Sequence, residues 1–359
     1  MQLPRNLQIW LPGYLQDRWR ARRRPPAKRV WLAITDHYEP YWQTPDDTVA
    51  AARVELWMKH WPRVAEEFED SAGRNPIYGF FYPEEQYQPH LIDRLAELVR
   101  AGIGDVEVHL HHDGEGEQDF IDRMSSFTHT LVSRHGLLRM VDGRPAFGFI
   151  HGNWALDNSR PDGRKCGLNN ELSLLIELGC YADFTLPSAP RPTQGRMVNT
   201  IYWAQDDPER PKSYDTGIPV RVDPLEEAPH PALLMIPGPL GITSSLLGNG
   251  QRLMPRVETG EVASYYPPTP GRVRAWLDFS PRLGDDVFVK LYTHGTQERH
   301  SRFLLEHGLR QLFGWMKEAA RERGQSLYFA SAWHLKLAVD AIRRARDPVA
   351  AVCDRVGKL

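Results

Sequence analysis

Seven short apolar segments, most of them followed by a stretch of helical periodicity, constrain this chain more than any other feature. They are VWLAIT (30–35), PIYGFFY (76–82), DVEVHLHH (105–112), RPAFGFIHG (through Ile150), YADFTLP (181–187), DVFVKLYTH (286–294) and SLYFAS (326–331). Continuous runs of branched and aromatic residues suit strands buried on both faces, as in a parallel sheet. Between them, Val49, Val54, Trp57, Met58, Trp61, Val64 and Phe68 recur at helical spacing over 47–70. Residues 90–102 form an amphipathic helix that stops on a glycine. Helices are also expected over 117–135, 171–179, 298–323 and 333–347. Strands alternating with helices imply an α/β domain with a parallel sheet, open or closed into a barrel. In either form the ligand site lies beyond the carboxyl ends of the strands. The rhythm breaks over about 188–285, where proline and glycine are dense and the apolar runs are short. This reads as an insertion of irregular and antiparallel structure packed over the main sheet. The expected organisation is an N-terminal arm (1–29) and an interrupted α/β domain (30–359).

Bulk properties exclude several classes. A formal net charge of −2 creates no field that would draw the chain to nucleic acid. No apolar run is long enough for a signal peptide or a membrane span, so a cytoplasmic protein is expected. Cys166, Cys180 and Cys353 are odd in number and lack CxxC spacing, which reads as reduced, incidental thiols. Neither GxSxG nor a phosphate-binding glycine loop follows a strand. The basic run between Arg18 and Arg29, behind Trp10, Leu11, Tyr14 and Leu15, has two readings. It is a membrane-surface or partner-docking segment, or a solvated arm lying on the domain.

The residues just beyond the apolar runs are polar and rich in imidazole. Asp36 and His37 follow the first run, His109, His111 and His112 the third, and His151, Asn153 and Asp157 the fourth. His294 and Glu298 follow the resumed strand. Histidines with acids at one end of a parallel sheet compose a metal site with acid–base partners. Strand side chains two apart share a face, so His109 and His111 are neighbours while His112 points away. Paired neutral imidazoles suit a divalent metal; the alternative for any one of them is a buried, hydrogen-bonded ring. His294 reads as a cap on the strand end or as a general acid. Asn153 and Asp157 read equally as ligand contacts or as a self-bonded turn. Trp42, Trp154 and Trp203 are candidates for stacking on sugar rings, whereas Trp57 and Trp61 sit at helical spacing and read as core.

In this order the segments resemble the polysaccharide deacetylase family (carbohydrate esterase family 4) over 30–187 and again from 286 to about 345. FFYPEEQYQPHLIDRLAELVRAG is similar to that family's second strand and helix, DVEVHLHH to its metal-binding strand, and FVKLYTHG to the strand carrying its catalytic histidine. The resemblance implies a distorted (β/α) barrel with an irregular insertion, and removal of N-acetyl groups from amino sugars with a divalent metal. Zinc is the implied ion, with cobalt or nickel as alternatives. Asp36 and His294 are the implied catalytic groups and His37, His109 and His111 the metal ligands. His151, Asn153, Trp154 and Asp157 are placed against the substrate. Two registrations of the first motif stay open: Asp36 as base with His37 as ligand, or Asp36 as ligand with no base. In the second motif His111 takes the first histidine's place, Glu115 stands at the second, and His109 is the substitute.

The expected chemistry is metal-assisted amide hydrolysis of a carbohydrate or sugar-linked substrate. Asp36 would take the proton of water, and His294 as imidazolium would protonate the departing amine. A lipid-linked sugar at the inner membrane face, reached through the basic arm, is one such substrate. Two rivals remain: a glycoside hydrolase drawing carboxylates from Asp36, Asp157 or Glu298, and a non-catalytic carbohydrate-binding protein.

Overall fold

The computed structural model describes residues 4–247 and 252–353; the ends of the expected arm and domain, and positions 248–251 of the insertion, lie outside them. The described residues form fourteen strands: β1 (Arg29–His37), β2 (Tyr78–Pro83), β3 (Gly104–Leu110), β4 (Arg139–Val141), β5 (Arg144–His151), β6 (Cys180–Asp183), β7 (Tyr202–Ala204), β8 (Ile218–Pro219), β9 (Leu233–Met235), β10 (Gly241–Leu247), β11 (Arg252–Glu258), β12 (Arg282–Leu283), β13 (Asp286–Thr293) and β14 (Ser326–Phe329). The principal helices are α1 (Leu7–Ala21), α2 (Asp47–Glu66), α3 (Pro89–Arg100), α4 (Glu117–Ser133), α5 (Glu171–Glu177), α6 (Pro270–Phe279), α7 (Glu298–Phe303), α8 (Leu309–Glu322) and α9 (Ala332–Arg343). The helix expected over 298–323 is interrupted by a π-helical turn, Leu304–Gly308, between α7 and α8.

β1 is the hub of a mostly parallel sheet. One edge pairs with β13 from Arg29↔Asp286 to Asp36↔Thr293. The other edge is divided, its first half bonding β14 and its second half β2. The ladder continues through β3, β5, β6 and β9, all parallel. Every residue of β1 after Arg29 is buried, as two-sided burial requires of a central strand. One large apolar cluster packs α2, α3 and α8 against the sheet through Trp57, Trp61, Leu95 and Met316. A second joins residues from the opposite face of many strands, among them Trp31, Ala33, Phe81, Ile150, Phe184, Ile236 and Phe288.

Among the described residues no ladder joins β13 to β6 or β9. The buried Lys290 of β13 spans this opening instead. Its ammonium donates to the carbonyls of Phe184 (2.6 Å) and Leu186 (2.7 Å). The sheet is thus compatible with a curled, barrel-like arrangement.

The insertion does more than cover the sheet. β9, β7 and β8 extend it beyond β6, so part of 188–285 belongs to the sheet itself. The β10–β11 hairpin and α6 form the rest, tied together where Arg272 and Trp276 donate to the buried Glu258. The N-terminal arm folds as α1 and lies on the insertion. Trp10 is fully buried with Ala189, Val198 and Leu240, and Asn199 donates to Asp17. Arg20, Arg22 and Arg23 remain exposed. No helix among the described residues is long and apolar enough to cross a membrane.

Candidate metal centre at the strand ends

The carboxyl ends of β1, β3 and β13 bring four of the expected residues, His37, His109, His111 and His294, into one cluster. The His37 ring lies 4.9 Å, centroid to centroid, from both His109 and His294. His111 packs edge-on against His109 at 4.6 Å. At the centre stands an acid that sequence reasoning passed over, Glu39. Its Oε1 is 3.5 Å from His109 Nε2 and 3.4 Å from His111 Nε2. His37, Glu39 and His109 can each offer one donor atom within 4.8 Å of the others. The signal for Glu39 was present, since it stands two residues beyond His37, where extended backbone returns a side chain to the same face.

Hydrogen bonds fix which nitrogens face the cluster. His109 Nδ1 donates to the Ile150 carbonyl at 2.7 Å, which leaves Nε2 as a lone pair. That buried nitrogen has no hydrogen-bond partner. His111 Nδ1 bonds Glu85 Oε1 at 2.6 Å, so its Nε2 also turns toward Glu39. The His111 ring lies so close over Gly152 that a Cβ there would fall 2.3 Å from His111 Cδ2. Only glycine permits this approach.

The electrostatics follow from burial among imidazoles. Burial and then the neighbouring His294 and His109 rings hold His37 far below the ordinary range. Burial pushes Glu39 upward, but the His109 and His111 rings in their protonated form would outweigh it and pull the carboxylate low. Burial pushes His294 down to about 4, against the opposing pull of Glu39. His294 is therefore a neutral ring near pH 7 in these surroundings, rather than the imidazolium expected from its ordinary pKa.

The remaining expected site residues divide. Asp36 lies on the opposite face of β1 from His37, fully buried, accepting from the Gly295 amide at 2.7 Å and the Tyr78 hydroxyl at 2.9 Å. Burial raises it to about 7 despite both bonds. It fixes the turn that carries His294 and is not among the groups converging on Glu39. Trp154 does reach the cluster, its ring 5.5 Å from His37, at a strained positive φ of 55° shared by Asn153 (56°). Asn153 is half-buried in the same turn. His151 and Asp157 turn away from this face. His151 is buried against His112, and Asp157 is buried with its carboxylate accepting from the Ser213 amide at 2.5 Å. Neither lines the cavity that opens beside His294. Glu298 pairs with Arg53 at the surface, and Trp57 and Trp61 are core residues as expected.

A cavity of about 360 Å³ opens beside the cluster. Trp154, Arg191, Glu261, Tyr265, Tyr292 and His294 are among the residues that line it. The Arg191 guanidinium lies 4.3 Å over the Trp154 ring. Arg191 and Glu261 come from the segment 188–285, so the insertion forms one wall of the cavity. Flat rings with a few polar groups suit a small polar ligand with apolar faces.

A second cluster lies behind the first. His112, His151, Cys166 and Glu171 are all buried and could hold a metal ion. His112 diverges from His109 and His111, as their alternation implied. Cys166, read from its spacing as an incidental thiol, stands among these potential ligands. In comparisons with known proteins no family model matches the chain, and no curated protein matches it.

Proposed function

We propose that the chain is a metal-dependent hydrolase acting on the N-acyl group of an amino sugar or glycan precursor, on a sheet closed into a distorted (β/α) barrel. The observation that carries this reading is the buried Nε2 of His109, which makes no hydrogen bond and is turned toward Glu39 and His37 by the bond of Nδ1 to Ile150. A buried polar atom without a partner is costly unless something outside the chain satisfies it. Two imidazoles and a carboxylate form the donor set of catalytic zinc sites. His37, Glu39 and His109 would hold the ion, with His111 beside them.

A divalent cation there supplies polarisation of the acyl carbonyl and acidification of a water. The protein's own groups do the rest. His294, on the cavity wall, takes the proton from water and returns it to the departing amine. Asp36 positions that ring through the Gly295 amide. Trp154 and Tyr292 present flat faces to a sugar ring, and Arg191 adds a cation for an acidic or phosphorylated substituent.

The test is metal content together with acetate release from N-acetylated hexosamines and their oligomers by the purified chain. The expected result is bound zinc, cobalt or nickel and acetate release that disappears in a folded His109→Ala variant. Sugar release without acetate would replace the reading by glycoside hydrolysis, with Glu261 of the cavity wall as one carboxyl group. Metal-free protein that releases neither would overturn it.

A further inference from the structure

The second cluster accounts for residues that the proposed reaction does not use. Its members come from three places: His112 just beyond β3, His151 at the end of β5, and Cys166 and Glu171 from the long connection into α5. All are at most 3 % exposed. His112 Nε2 lies 2.9 Å from His151 Nε2 and 2.9 Å from Glu171 Oε1. His151 Nε2 lies 3.3 Å from the same Oε1, and Cys166 Sγ lies 3.4 Å from Glu171 Oε2. One donor atom from each of the four falls within 4.8 Å of every other.

Proton accounting exposes a deficit. His151 Nδ1 donates to the Gly152 carbonyl at 2.5 Å, so its Nε2 is a lone pair aimed at His112 Nε2. Glu171 Oε1 is a second acceptor aimed there, while Oε2 already accepts the Asp157 amide at 2.6 Å. A proton on His112 Nε2 would satisfy one of the two fully. It would also leave His112 Nδ1 as a bare nitrogen, and that atom is buried without a hydrogen-bond partner. Cys166 Sγ meanwhile receives the amides of Asn158 (3.2 Å) and Leu168 (3.5 Å), while its own proton is directed to Glu171 Oε2 or the Leu168 carbonyl. Donor atoms of four buried side chains therefore converge on one point, with the His112 ring shared between two acceptors.

We infer that His112, His151, Cys166 and Glu171 form a second metal centre, a closed four-donor site for zinc that is structural and separate from the proposed catalytic one. Two imidazoles, a thiolate and a carboxylate are a complete tetrahedral shell, leaving no position for substrate. A thiol ligand gives up its proton when the cation binds, so occupation of this site would release the Cys166 proton. The site staples the irregular stretch 152–170 to the ends of β3 and β5. That stretch holds Asn153, Trp154, Asp157, Asn158 and Lys165 at positive φ, a conformation with little local support of its own. The staple also fixes both neighbours of the first cluster: His111 precedes His112, and Gly152–Trp154 follows His151.

Cobalt(II) distinguishes the two centres, because only the second contains sulfur. Full-length protein refolded with cobalt should take up two equivalents and show thiolate-to-cobalt charge-transfer absorption with intense tetrahedral d–d bands. Cys166→Ala should lose one equivalent and the charge-transfer band while keeping the other. His109→Ala should lose one equivalent and keep the band, and this outcome is independent of whether the chain hydrolyses anything. Absence of the band in cobalt-loaded wild type, or its survival in Cys166→Ala, would overturn the inference. If Cys166→Ala does not fold, Cys180→Ala and Cys353→Ala decide the matter. Both should keep the band; its loss in either would assign the sulfur elsewhere and refute the site.

Discussion

His109 gives its Nδ1 proton to the carbonyl of Ile150 across the β3–β5 pairing, at 2.7 Å, and so presents a bare Nε2 to Glu39. A main-chain carbonyl, which no side-chain replacement removes, thus sets the tautomer of the central ring. A bond of this kind to the far side of the ring orients a ligand before any ion arrives.

Glu85 plays the same part for His111 with a side chain, which makes it testable. Glu85→Ala should weaken metal binding at the first centre by about 10-fold to 100-fold, the usual cost of losing such a partner. Titration with a competing chelator measures this. Unchanged affinity would show that His111 lies outside the coordination shell.

Trp154 lines the cavity beside His37 without supplying a donor atom. Trp154→Ala should raise KM for a saccharide substrate at least about fivefold, the loss of roughly 1 kcal/mol of ring stacking. The kcat should change much less. An equal fall in kcat would mean that the ring acts on the reacting group.

Lys290 joins β13 to the segment after β6 across the opening in the sheet. Lys290→Met keeps the bulk and removes the donor from two buried carbonyls. Urea denaturation should show a loss of about 1–3 kcal/mol, the cost of stranding the Phe184 carbonyl, since that of Leu186 keeps the Gly238 amide at 2.9 Å. A loss below 1 kcal/mol would mean that the two edges are held together by other contacts.

His334 occupies the third position of α9 and completes a capping box with Ser331. Burial, then Arg74 and Arg139, depress it to about 3. Between about 6.5 and 3 the unfolded chain binds a proton that the folded ring refuses, so stability falls as pH drops through this window. Glutamine also serves in a capping box. His334→Gln should keep the helix start and be less acid-sensitive than wild type, by about 2 kcal/mol at pH 5 relative to pH 7. Parallel stability curves for the two proteins over pH 4.5–7 would exclude the ring as an acid-sensitive group.

The alternating runs determined the strands and most of the helices, because burial on both faces and 3.6-residue periodicity are local properties. Burial of Trp57 and Trp61 was legible for the same reason, and so was the divergence of His112 from His109 and His111. Sequence placed histidines at the strand ends, but could not say which donor atoms meet. Asp36 and His37 are adjacent, yet the pleat sends one to Tyr78 and Gly295 and the other to the imidazoles. Glu39 became the central acid only through the path of the chain after β1. The grouping of His112, His151, Cys166 and Glu171 spans 60 positions with no motif spacing, because the sheet register and the folded loop bring them together. Local pattern determined the scaffold; which side chains share a point in space was decided by pairing between distant strands and by the loops those strands hold in place.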